Sequence, residues 1–296
     1  MFRGCYFEYA GVFSGDYNLV TAYLDNNYTE FDSGGVYKPN TEALPRVAES
    51  LLYSLNYSEN PLEFELEIFN PDEAIPQEKM REIKNWLFGQ DGWKKLKIKD
   101  SNFQDYYLMC LLIPESDILD VSGYRGLRCK VMNISPFWYG DEKIINISES
   151  DLESGLNENF EYVFNINVDT DNPLATTAIF TFTNPDDMTK NRLFEIKNNT
   201  NNSMIYMSTT TGDFWKSGAT YEFNTKYLYF KSNEAIANYT PALGDGYEAT
   251  NKDIFYLSRG NNEISILCCT TSHPHEKMIY KNFSIAYTPC YRVGGF

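Results

Sequence analysis

Four residues in one short stretch could hold a soft metal ion. They are Cys268, Cys269, His273 and His275 in CCTTSHPHEK, which contains both histidines of the chain. Thiolate and imidazole are the ligands that zinc favours. The spacing matches no ordinary zinc pattern, however, and adjacent cysteines on a strand point to opposite faces. A polar loop is the plainer reading, so neither a metal nor an organic cofactor is expected. The run DTDN at 169–172 begins like a calcium loop but lacks the later glycine and glutamate. No G-x-S-x-G, H-E-x-x-H, glycine-rich phosphate loop or dinucleotide fingerprint occurs. Catalysis would have to rest on carboxylate, Lys, Cys or Tyr groups, and no pattern gathers them. The expectation is a protein that is not an enzyme.

The chain around these residues has the composition of a β protein. Of its 296 residues, 43% are apolar, with 23 Tyr and 20 Phe, enough for a substantial core and for one large or two ordinary domains. The net charge is -16, spread evenly: divided at Gly140, the halves hold 13 basic against 21 acidic side chains and 12 against 20. Such a surface disfavours a nucleic-acid clamp and suits either plain solubility or a passage along which nucleic acid slides. The six cysteines have no regular spacing, and no apolar run reaches 18 residues. These features point to synthesis inside a cell with free thiols and to no membrane insertion.

In the first half, NPLEFELEIFNP alternates cleanly, with Leu62, Phe64, Leu66 and Ile68 on one face and Glu63, Glu65 and Glu67 on the other. Three glutamates in a row repel one another, so that face must meet water, a cationic partner or a wide lumen. The next segment predicts a helix over 76–88, with Pro76 in its first turn and Gly89 just past its end. Met80, Ile83, Trp86 and Leu87 form its apolar stripe, suited to covering a sheet or to binding a partner. In DGWKKLKIKD a strand follows, with Trp93, Leu96 and Ile98 as core candidates. Lys94, Lys95, Lys97 and Lys99 then form a solvated face or an inter-subunit contact rather than a nucleic-acid site. CKVMNISPFWYG closes the half, with Val131 and Ile134 as buried strand positions. Pro136, Phe137, Trp138 and Tyr139 either wedge a domain junction or cap the half's own core.

Beyond residue 140 many short strand patterns alternate with turns such as NNTNNS and RGNN, as in a β-sandwich. Trp215 and Tyr221, in TGDFWKSGATYEF, are the nearest candidates for a sugar platform, against the alternative of core or interdomain packing.

Taken in order, MFRGCYFEYAG, PLEFELEIF, EIKNWLFGQDGWKKL and NISPFWYG resemble the distal tail proteins of long-tailed, non-contractile phages, mainly of Gram-positive hosts. Pro136, Phe137 and Tyr139 match that family's aromatic domain close, while Asn133 to Ser135 replace its acidic lead-in. RLFEIKNNTNNSMIYMS, NEISILCC and SIAYTPCYRV are similar to strands of its second domain. The resemblance implies a mainly β protein: a sandwich-like ring domain over 1–140 with one covering helix, completed by 281–296, then a galectin-like or carbohydrate-module-like sandwich over 141–280. It implies a homo-hexameric ring at the tail tip, made in the host cytoplasm and joining the tail tube protein to the hub protein. Outward second domains would carry receptor-binding or baseplate proteins, and DNA would pass without specific binding. The opposing reading is a carbohydrate-binding or glycan-active host-adhesion protein.

Overall fold

The alternation in EFELEIF gives strand geometry because successive side chains fall on opposite faces. One face is dry: Phe64, Leu66 and Ile68 are all at most 5% exposed. In the computed structural model the described residues are 4–22, 36–43, 50–58, 63–172, 175–185, 192–209, 218–227, 229–233, 255–269 and 277–291. The chain divides into two units, Met1–Gly140 with Tyr291–Phe296, and Asp141–Cys290.

The first unit comprises β1 (Phe7–Tyr9), β2 (Val12–Phe13), β3 (Val20–Ala22), β4 (Val36–Ala43), β5 (Ser50–Ser58), β6 (Glu63–Phe69), α1 (Gln77–Phe88), β7 (Lys94–Ile98), β8 (Leu108–Asp120), β9 (Gly123–Asn133) and β10 (Trp138–Tyr139). Seven strands form one sheet in the order β2-β1-β7-β8-β9-β6-β3, while β4 and β5 pair as a separate hairpin. All the sheet's registered pairings are antiparallel. Helix α1 supplies Met80, Ile83, Trp86 and Leu87 to the core that the sheet's inner residues share.

Two positions depart from the alternation expected. On β9 the buried parity runs through Leu127, Cys129, Val131 and Asn133, which leaves Ile134 39% exposed just past the strand's end. Trp93 also lies outside the core, 37% exposed, because β7 begins only at Lys94.

The second unit contains β11 (Lys143–Ile147), α2 (Glu149–Gly155), β12 (Glu161–Val168), β13 (Ala178–Thr183), β14 (Arg192–Asn198), β15 (Ser203–Thr209), β16 (Thr220–Asn224), β17 (Tyr229–Ser232), β18 (Gly260–Leu267) and β19 (Lys281–Tyr287), and the chain leaves through β20 (Cys290–Tyr291). A five-stranded sheet, β11-β19-β13-β16-β17, and a four-stranded sheet, β12-β18-β14-β15, enclose one core. Phe180, Phe182, Tyr221 and Phe283 come from the first sheet; Ile166, Ile196, Ile264 and Ile266 come from the second. Helix α2 starts with a capping box: Asp151 N–H donates to Ser148 Oγ, and Ser148 N–H donates to the Asp151 carboxylate.

One expected boundary moves. Residues 281–290 do not complete the first unit, because β19 is hydrogen-bonded between β11 and β13 inside the second. Strand β20 pairs with β10, and the chain returns to the first unit at Tyr291. The fold is mainly β throughout, and among the described residues no helix is long and apolar enough to cross a membrane.

Candidate functional site

Trp86 is fixed from three sides. Its indole N–H donates 2.9 Å to the carbonyl of Tyr9, and its ring stacks on Phe7 at 5.9 Å and on Tyr17 at 5.1 Å. With 8% exposure it is packing rather than a ligand platform, and Met80, Ile83 and Leu87 beside it are at most 2% exposed. Burial likewise governs Tyr9, whose phenol is pushed up to about 12 by desolvation in the same core.

The stretch at 136–139 is anchored within the first unit. Phe137 and Trp138 are each 2% exposed, and Pro136 is buried. Trp138 packs on Phe103 at 5.0 Å, while Tyr139 stacks on Tyr107 at 5.6 Å and exchanges two backbone hydrogen bonds with it. Asn133 holds the turn, its amide donating to the carbonyls of Ser135 and Phe137. Strand β9 thus ends at Asn133, ahead of the proline, and Trp138 joins the first unit's core.

The glutamate row finds its cations within the chain. Register on the sheet's outer face sets Glu65 opposite Lys130 and Glu67 opposite Arg128. Lys130 Nζ lies 2.5 Å from Glu63, and Arg128 pairs with the buried Glu67. Two lysines of the run also have partners within the unit: Lys95 sits 3.8 Å above the Tyr107 ring and Lys99 lies 3.5 Å from Glu8. The first unit thus carries interleaved charge on this face rather than a continuous cationic strip.

In the second unit Tyr221 overturns its reading as a sugar platform. It is 0% exposed and stacks on Phe182 at 5.7 Å, because its parity on β16 points inward. Trp215, His273 and His275 lie outside the described residues. Cys268 and Cys269 are both buried, and burial pushes the Cys268 thiol up to about 12. Cys110 and Cys129 are raised well above an ordinary thiol for the same reason. Such thiols are poor nucleophiles at neutral pH. Among the described residues no three His, Cys, Asp or Glu side chains are placed to hold a metal.

Sequence reasoning missed two polar features. NNTNNS reads as a turn, yet Asn198 and Asn262 are 0% exposed and hydrogen-bonded to each other at 2.9 Å. Asn201 and Asn198 both donate to the Tyr256 carbonyl. The asparagine repeat was the only signal, and it names no partner. The second feature is a cleft of about 220 Å³ over β16 and β17, lined by Thr181, Thr220, Glu222, Lys231 and Asn233 among others. Its residues come from three strands, and only the register brings them together.

Comparison with known proteins bears on the whole chain. Residues 2–135 match a family described as phage tail protein N-terminal domain. In fold the chain is similar to SPP1 Dit, described as a paradigm of the hub adsorption apparatus in phages infecting Gram-positive hosts. That likeness has a TM-score of 0.61 at 11% identity and covers 97% of this chain and 98% of the other. Chains of the phage p2 baseplate in its activated conformation, with calcium and with strontium, each give a TM-score of 0.51 at 10% identity, covering 96% of this chain and 97% of theirs. No curated protein matches the sequence. The family match thus concerns phage tail proteins and the N-terminal part of the chain, while the likeness to SPP1 Dit is one of fold over the full length.

Proposed function

We propose that this chain, whose residues 2–135 carry a phage tail protein N-terminal domain, is a structural adaptor of the phage tail tip. The observation that carries this reading is the end-to-end likeness to SPP1 Dit, with almost nothing left over in either chain. A virion component of this kind works by holding partners in register, and its role is structural rather than catalytic.

The finer reading is a homo-hexameric ring built by the first units around the tail channel, joining tail tube to hub. The second units carry receptor-binding or baseplate proteins. A local feature supports the ring. Among the described residues, the β4–β5 hairpin pairs with neither large sheet, although it runs for eight and nine residues. A two-stranded hairpin is marginal by itself in water, so it calls for a second surface, which a neighbouring copy supplies. The acidic balance of the first half favours DNA passing without adhesive phosphate contacts.

Light scattering on the purified full chain tests the assembly, with a discrete particle of about six protomers expected. Replacing 141–290 by a short linker should leave that particle intact. A monomer at every concentration sinks the ring reading.

A further inference from the structure

Trp93 and Ile134, the two residues that leave the alternation of the first unit, belong to one surface. On β8 the side chains of Leu108, Cys110 and Leu112 are buried in the core that α1 shares. Met109, Leu111 and Ile113 therefore stand on the sheet's outer face, away from the helix. Register sets Met132 of β9 beside Leu111, and the Ile134 N–H donates 2.9 Å to the Met109 carbonyl. Trp93 precedes β7 with the parity of Lys95, which lies opposite Met109. These six side chains make an apolar patch outside the core, in which Trp93, Ile113 and Ile134 are exposed.

The far end of the same two strands carries a second apolar feature. Among the described residues, β7 accompanies β8 only as far as Cys110, and from Ile113 onward both faces of β8 have left the core. The hairpin tip presents Leu119, 61% exposed, and Val121, fully exposed. It is braced rather than loose. The Ser122 N–H donates 2.7 Å to Asp120 Oδ1, Arg125 Nε lies 3.4 Å from Asp120, and Lys84 of α1 lies 2.7 Å from Asp117. A tip already held in one shape docks at little cost in conformational entropy. Pro114 and two register shifts interrupt the outer edge of β8, which disfavours an added strand and leaves the tip's side chains to make the contact.

We propose that the β8–β9 tip of one copy docks on the apolar patch of a second copy, as a head-to-tail contact between first units. The proposal rests on the ring reading and names the two surfaces that meet. A cyclic ring of more than two copies requires two different, complementary surfaces on each protomer. Leu119 and Val121 supply apolar knobs, and the patch supplies a tryptophan among aliphatic side chains, a composition suited to an anchor. Charge agrees with the pairing. Residues 113–125 carry Glu115, Asp117 and Asp120 against Arg125, three minus one, whereas residues 91–100 beside the patch carry four lysines against two aspartates. The tip is therefore net negative by two and the rim of the patch net positive by two, which orients the approach. Tip and patch of one chain cannot satisfy each other, because β8 holds Leu119 on the order of 25 Å from Leu111.

Sedimentation of the full chain tests the contact with two variants. The tip variant is Leu119→Ser with Val121→Ser, and the patch variant is Trp93→Ser with Ile134→Ser. All four positions are exposed, and melting checks that each variant is folded. Lys94→Glu with Lys97→Glu replaces the patch variant if the serines destabilise the sheet. Each variant should raise the concentration needed for half-assembly by at least about tenfold. Mixed in equal amounts, the two should form a pair that neither forms alone, because each retains the surface the other lacks. Folded variants that assemble like the unsubstituted chain overturn the proposal and leave the ring reading standing. So does a mixture that assembles no better than its components, as when the patch serves a different protein. An unsubstituted chain that stays monomeric at every concentration overturns both.

Discussion

Arg128 on β9 and Glu67 on β6 stand directly opposite in register and close an ion pair on the outer face of the seven-stranded sheet, with Arg128 Nε 3.0 Å from Glu67 Oε1. The Glu67 side chain is 7% exposed, while that of Arg128 is 33% exposed. Removing the guanidinium would strand a desolvated carboxylate, which is far more costly than losing a solvated pair. Arg128→Met should therefore lower unfolding free energy by roughly 2–4 kcal/mol. The diagonal pair Glu63–Lys130 has both side chains 40% exposed, so Lys130→Met should cost far less than Arg128→Met. Urea titration of the two variants separates these outcomes. Equal losses would show that the burial difference does not govern the pairs.

Truncating Trp86 tests the cover that α1 places on the sheet. Trp86→Ala removes both stacking contacts and opens a cavity, and it should cost about 3–5 kcal/mol. Trp86→Phe keeps most of the ring but leaves the Tyr9 carbonyl without its indole donor; a loss of roughly 1–3 kcal/mol follows. Thermal melting that ranks the two variants in the opposite order would contradict this account.

Gly126 is required by close approach rather than by backbone freedom. A Cβ at this position would overlap the carbonyl oxygen of Ile68 and lie 2.9 Å from the Cα of Phe69. Both neighbours are backbone of β6, the strand paired with β9, and neither can swing aside. Gly126→Ala should force the two strands apart, with a loss of about 1–3 kcal/mol. Faster amide exchange confined to β6 and β9 would report it. Exchange rates unchanged in both strands would show that the ladder absorbs the methyl group.

The elements that the sequence announces are those in which one periodicity runs uninterrupted. Glu63–Phe69 alternates and α1 carries a single apolar stripe, so both were legible as local patterns. What escaped depends on partners distant in sequence. Nothing in EFELEIF reveals that Arg128 lies opposite Glu67, 61 residues away, and turns one member of an acidic row into a buried ion pair. The aromatic-rich end of the chain looks able to close either unit; the outcome for Lys281–Tyr287 is set by hydrogen bonds to β11 and β13. Tyr221 is misread for a related reason. A tyrosine beside glycine and tryptophan suggests a surface platform, yet inward parity on β16 commits the ring to the core. The cleft was invisible because Thr181, Glu222 and Lys231 become neighbours only through register.

Glu195 gives the second unit a specific pH dependence. It lies opposite Leu267, which in turn lies opposite Glu161, so two carboxylates share one row across three strands. Burial pushes the Glu195 carboxyl above its ordinary value of 4.5, Glu161 adds to the rise, and Lys197 opposes it. Between the ordinary and the raised value the folded protein binds more protons at this site than the unfolded chain does. Stability from this group therefore falls as pH rises through that window, and at neutral pH the fold carries the cost of a desolvated charge. Glu195→Gln keeps the shape and removes the charge. It should melt at a higher temperature than the unsubstituted chain at pH 7, and the difference should shrink as pH falls toward the ordinary carboxylate range. Asp151 changes oppositely and in a lower window, below its ordinary value of 3.8, because its hydrogen bonds with Ser148 lower its carboxyl; Glu195→Gln leaves that contribution in place, so the difference between the two melting curves isolates Glu195. Melting measured in parallel from pH 7 down to about 4.5 reads this directly. A difference that stays constant across the range would rule out ionisation of Glu195 as its origin.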